Sequence, residues 1–142
     1  MRVTCIAWAL ALLVAWPAGA VDTVVRPGPE VNAARALVKE KRWEAAIGAL
    51  ARLAVVEPSA DVFNLLAFSQ RNTGDFRSAL ENYMRALALD PDHRSALEYL
   101  GELYVQTGEM DKARALLARL EQLCPEGCEE REHLEKAIRD GK

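Results

Sequence analysis

Gly74-Asp75-Phe76-Arg77-Ser78-Ala79, followed by Tyr83, Ala86 and Pro91, returns in altered form as Gly108-Glu109-Met110-Asp111-Lys112-Ala113, followed by Leu117, Leu120 and Pro125. A weaker copy precedes both: Arg42-Trp43-Glu44-Ala45-Ala46, with Leu50, Leu53 and Pro58 behind it. The shared alanine moves from Ala46 to Ala79 to Ala113, and the closing proline from Pro58 to Pro91 to Pro125. Both move by 33 and then 34 positions. A period of this length marks a stacked array of helical units, none of which can bury its apolar face alone.

Each unit also holds an earlier helix. Leu97, Leu100, Gly101 and Tyr104 fall at i, i+3, i+4 and i+7, as do Phe63, Leu66, Ala67 and Gln70. That spacing lays one stripe along one face of a helix. The second helices carry their own stripes: Ala79, Tyr83, Ala86, Leu87, and Ala113, Leu116, Leu117, Leu120. The turns agree with this reading. Gly74 and Gly108 can take the positive φ that ends a helix. Asp75 is expected to cap the helix after it, and Ser59 and Asp92 the first helices of the second and third units. The three prolines stop the second helices, having no N–H to continue the ladder.

Together these positions resemble the tetratricopeptide repeat family. Leu97, Leu100-Gly101, Tyr104, Ala113 and Pro125 match its pattern, and Phe63, Leu66-Ala67, Ala79, Tyr83, Ala86 and Pro91 nearly as well. The first unit keeps Ala33-Ala34, Leu37, Trp43, Ala46 and Pro58 but has Lys41 where the others have a turn glycine. The resemblance covers roughly residues 27–125. It implies an all-α, right-handed solenoid of three helix-turn-helix hairpins, at 30–58, 59–92 and 93–125. Residues 126–142 are expected to form a capping helix and tail, with Leu134, Ala137 and Ile138 as its apolar strip.

In this family the first helix of each pair lines a concave groove. The resemblance therefore implies a partner-binding surface of Arg35, Val38, Lys39, Asn64, Phe68, Arg71, Asn72, Glu98, Glu102 and Gln106. Such a groove is basic and amide-rich at one end and acidic at the other. The amides suit an extended peptide backbone, and Phe68 suits one of its side chains. Some family members grip a terminal carboxylate with basic residues on the third groove helix. Glu98 and Glu102 occupy that helix here, so that activity is not carried over. Leftover apolar residues in the weak first unit also offer a surface for a homodimer.

Residues 1–20 read differently from the rest. Arg2 is the lone charge before Asp22, Ile6 to Val14 is apolar, and Ala18-Gly19-Ala20 closes with small residues. This pattern predicts a secretory signal peptide cleaved after Ala20, and so a periplasmic or secreted chain. An uncleaved anchor needs roughly 20 apolar residues, a length reached here only by crossing Pro17 and Gly19. Residues 21–29, with Pro27 and Pro29, are expected to be an extended lead.

Cys5 would leave with the signal. Cys124 and Cys128 remain, and an even pair in an exported chain reads first as a disulfide. The alternative is copper-type metal binding or thiol handling by the same pair, with Met84, Met110, His93 or His133 as further ligands. Eighteen basic and twenty-one acidic residues leave a net charge of −3, and removal of Arg2 makes it one more negative. That balance argues against nucleic acid, because no basic excess exists to displace phosphate counterions. No phosphate loop, His-Glu-x-x-His or nucleophile elbow occurs. The expectation is a non-catalytic scaffold for a protein or peptide, with no cofactor.

Overall fold

The computed structural model describes residues 28–141, which form seven α-helices and no strand. The signal-peptide segment, Cys5 and most of the extended lead lie outside the described residues. The helices are α1 Pro29–Lys39, α2 Trp43–Val56, α3 Ala60–Asn72, α4 Phe76–Leu89, α5 Arg94–Gln106, α6 Met110–Leu123 and α7 Glu129–Asp140. Each of the three hairpins predicted from the period is present, and α7 follows them.

The punctuation residues act as their chemistry requires. Gly74 and Gly108 have φ of 86° and 80°. Lys41 stands at the equivalent point of the first hairpin and takes φ 56°. The turn is thus retained without glycine, at the steric cost of a β-carbon in the left-handed region. The side chains of Ser59 and Asp75 accept from the N–H of Val62 and Ser78, capping α3 and α4. Asp92 does not cap α5, contrary to expectation. His93 does, its Nδ1 accepting from the Ala96 N–H at 3.2 Å. The helix starts one residue later than the acidic residue suggests, and Asp92 turns instead to Arg119.

The core is built across repeat boundaries. One cluster joins Val31, Ala34, Ala46 and Leu50 of the first hairpin to Val62 and Leu66 of the second. The next joins Ala67, Ala79 and Tyr83 to Leu100 and Leu103 of the third. The last joins Leu97, Ala113 and Leu120 to Leu134 and Ile138 of α7. No hairpin completes a core by itself, which is the energetic basis of a solenoid. Gly101 lets the cap approach closely: a β-carbon there would lie 2.5 Å from Cδ2 of Leu134.

The stack also has an inside. First helices touch one another, α1 with α3, α3 with α5 and α5 with α7. The backbones of the second helices α2, α4 and α6 stay further apart. Helices that converge on one side and spread on the other define a curved array with α1, α3, α5 and α7 on its concave face. Among the described residues no helix is long and apolar enough to cross a membrane.

Candidate partner-binding face

The concave face carries three polar ties, each linking consecutive units. At the N-terminal end Arg35 of α1 donates to Asp61 Oδ2 of α3 at 3.1 Å. Asp61 Oδ1 lies 3.0 Å from Nε2 of His93. Because His93 Nδ1 accepts from a backbone N–H, its proton sits on Nε2 and is donated to Asp61. This bond, ahead of the Arg35 charge, holds the Asp61 carboxyl below the usual carboxylate range.

In the middle, Arg71 of α3 meets Glu102 Oε2 of α5 at 2.6 Å and donates to the Tyr99 carbonyl oxygen at 3.3 Å. Its side chain is only 9% exposed. The guanidinium also lies over two rings, 5.5 Å from the Phe68 centroid and 5.6 Å from that of Tyr99. Phe68 contacts Trp43 edge-on at 5.8 Å and Tyr99 at 4.7 Å. Trp43, Phe68 and Tyr99 thus form an aromatic row across all three hairpins, with Arg71 pinned to it.

At the C-terminal end Glu98 of α5 is 4% exposed and lies 2.8 Å from Nδ1 of His133 on α7. Burial raises the Glu98 pKa to about 7, with the Glu102 charge adding to it and the His133 bond opposing. The bond to Glu98 holds the His133 imidazolium to higher pH than usual.

The residues expected from sequence therefore fall into two groups. Asn64, Glu98 and Arg71 form the floor, and the Asn64 Oδ1 is enclosed with no hydrogen-bond partner among the described residues. Phe68 is half-buried in the aromatic row, neither free on the surface nor wholly inside. Lys39, Asn72 and Gln106 are exposed; Val38 packs partly on the first core cluster. Asn72 bonds back to the Phe68 carbonyl oxygen at 2.8 Å. Asp61, Trp43, Tyr99, His93 and His133 join this face without having been assigned to it. Asp61 was within reach of spacing alone, since 61, 64, 68 and 71 share one helical stripe.

The cysteines lie at the junction of α6 and α7. Cys124 and Cys128 are joined, with Cα atoms 5.9 Å apart. Neither histidine is turned toward them: His93 caps α5 and His133 faces Glu98.

An array of stacked helical hairpins with a curved inner face is the architecture of a helical solenoid. The tetratricopeptide repeat model matches residues 64–127, and over that stretch the chain carries tetratricopeptide repeats. Solved structures with the same fold include the type III secretion translocator chaperone SycD of Yersinia enterocolitica, with a TM-score of 0.71 at 18% identity. That match covers 79% of this chain and 80% of the other. SycD has also been solved with a peptide of the translocator YopD, matching with a TM-score of 0.68 at 18% identity and covering 79% of this chain and 86% of that one. MamA matches with a TM-score of 0.64 at 21% identity, over 79% of this chain and 74% of that one. Among curated proteins, the probable biofilm formation methyltransferase WspC of Pseudomonas putida is 39% identical over 62 residues, 44% of this chain. The match spans only 15% of that protein's length.

Proposed function

We propose that this chain is an exported, non-catalytic scaffold that holds an extended segment of a partner protein along its concave face. The observation that carries this reading is the built floor of that face. An aromatic row and buried polar ties hold it rigid, while Lys39, Asn72 and Gln106 stand exposed above it. A surface ordered before its ligand arrives loses less entropy on binding. SycD, which shares the fold, has been solved in complex with a peptide of the translocator YopD, and the reading of residues 1–20 supports export.

Phe68 and Arg71 are poor probes of this idea, because both also hold the floor together. A photo-crosslinking residue at exposed Asn72 or Gln106 reports on the concave face without that damage. The same residue at exposed Ala88 or Ala118, on the second helices, reports on the outer side. One partner should be trapped from Asn72 and from Gln106, and its trapping from Gln106 should be lost on Lys39→Glu/Asn72→Arg. Trapping of that partner from the outer positions alone would refute the assignment. Sequencing the N-terminus of the protein recovered from its host tests export: a chain beginning at Val21 supports it, and retention of Met1 refutes it.

A further inference from the structure

The two ends of the stack are not equivalent. At the C-terminal end Leu134 and Ile138 of α7 fill the last core cluster. At the N-terminal end α1 and α2 leave an apolar groove of about 450 Å³, lined by Ala33, Leu37, Ala49 and Val56, with Glu30 and Arg52 beside them. Val56 is 76% exposed there. In the second hairpin Leu66, at the position of Ala33, is buried against the first hairpin. On the first hairpin nothing among the described residues covers that side.

The charges around this groove indicate what does. Glu30 lies on α1 and Arg52 on α2, on opposite helices of the groove. Neither is paired with another charged or polar side chain among the described residues. A face with an apolar centre, one unpaired acid on one helix and one unpaired base on the other is complementary to itself. When a two-fold axis runs between the helices, α1 of one copy faces α2 of the other. Each Glu30 then meets the Arg52 of the opposing copy, and the apolar centres close on each other. A two-fold interface requires this self-complementarity.

We infer that the N-terminal hairpin is a homodimer interface, with a second copy of this chain occupying the groove. The pairing leaves the concave face of each copy open, so this inference does not rest on the partner-binding reading. A two-copy assembly then presents two grooves.

The chain as recovered from its host, examined by sedimentation velocity over roughly 1 to 100 µM, should pass from monomer toward dimer, as expected of an interface of modest size. Glu30→Arg alone and Arg52→Glu alone should each weaken self-association at least tenfold, because like charges then face each other twice. The double variant Glu30→Arg/Arg52→Glu should regain it. An equimolar mixture of the two single variants should form a heterodimer that neither forms alone, a result that only a two-fold pairing of these residues produces. These surface changes should leave the far-UV spectrum unaltered, which separates lost association from lost folding. A chain that stays monomeric throughout overturns the inference, as does a dimer indifferent to all three variants. In the monomeric case, protection of Val56 from solvent labelling that is lost on removing residues 21–27 would assign the groove to the chain's own lead.

Discussion

Replacing Gly101 with alanine adds one methyl group at a tight point between α5 and α7. Its carbon would lie 2.5 Å from Cδ2 and 2.6 Å from Cδ1 of Leu134, whereas non-bonded carbons settle at about 3.5–4.0 Å. Leu134 is fully buried, so its methyl groups must move by about 1 Å against a packed shell. Two effects oppose each other. Alanine in a helix interior is about 1 kcal/mol better than glycine. Overpacking a closed site costs about 1–3 kcal/mol. Leu134 has no open side to retreat to, so the second exceeds the first and a net loss of about 1 kcal/mol is expected. Leu134→Ala should cost about 3 kcal/mol, through lost burial and the cavity left behind. In the double variant the new methyl enters that cavity and the helix gain is recovered. It should lose about 2 kcal/mol in total, a coupling of about 2 kcal/mol relative to the sum of the singles. Urea unfolding of the four proteins, followed by far-UV circular dichroism, measures every term. A Gly101→Ala protein more stable than its parent would show that propensity alone decides, and that α7 is not seated on Gly101.

Three further outcomes follow from the inner face and the cap. Glu98 and His133 both have raised pKa values, so the native state holds more protons than the unfolded one and stability falls as pH rises. The Glu98 part is fully present below the ordinary carboxyl value of 4.5 and is lost as pH rises through about 7, and the His133 part is present below 6.5 and is lost as pH rises through its raised value. Solvent around the half-exposed imidazole limits it to about 2 kcal/mol; urea midpoints from about pH 5 to about pH 8 should decline, and Glu98→Gln should flatten the decline. Arg71→Ala strands Glu102 and frees the Tyr99 carbonyl, costing about 2–3 kcal/mol in thermal unfolding. Arg71→Lys should recover less than half, because a lysine cannot stack on two rings while forking to a carboxylate. Reducing the Cys124–Cys128 link should cost no more than about 2 kcal/mol, since the closed loop is very short. Hydrogen exchange should rise in α7 and stay unchanged in α1 to α4.

Periodicity was enough to read the hairpins, because alanine, glycine and proline at fixed offsets each report a local physical need. Ala46, Ala79 and Ala113 are all fully buried where helices cross, and Gly74 and Gly108 sit at positive φ. Lys41 shows the limit of such signals: the surrounding packing imposes the turn even where the residue does not favour it. The inner face was only partly legible. Its candidate residues were located by analogy of position, but the distinction between floor and exposed rim depends on pairs far apart in sequence. Arg71 and Glu102, or Glu98 and His133, look like ordinary surface charges until the stack brings α3, α5 and α7 side by side. The capping role of His93 was hidden for a different reason. The acidic Asp92 beside it is the commoner cap residue, and only the geometry of the Asp90–His93 turn decides between them.

The ties from Arg35 to Asp61, from Arg71 to Glu102 and from Glu98 to His133 all lie along one edge of the array. The backbones of the outer helices lie further apart. A stack stitched along one edge behaves as a bent beam with a stiff inner margin and a compliant outer one. Bending then costs most at the inner margin, where the Arg71 and Glu98 ties are enclosed and little screened by salt. The breadth of the cavity offered to a ligand is thereby kept, while the outer helices are free to spread.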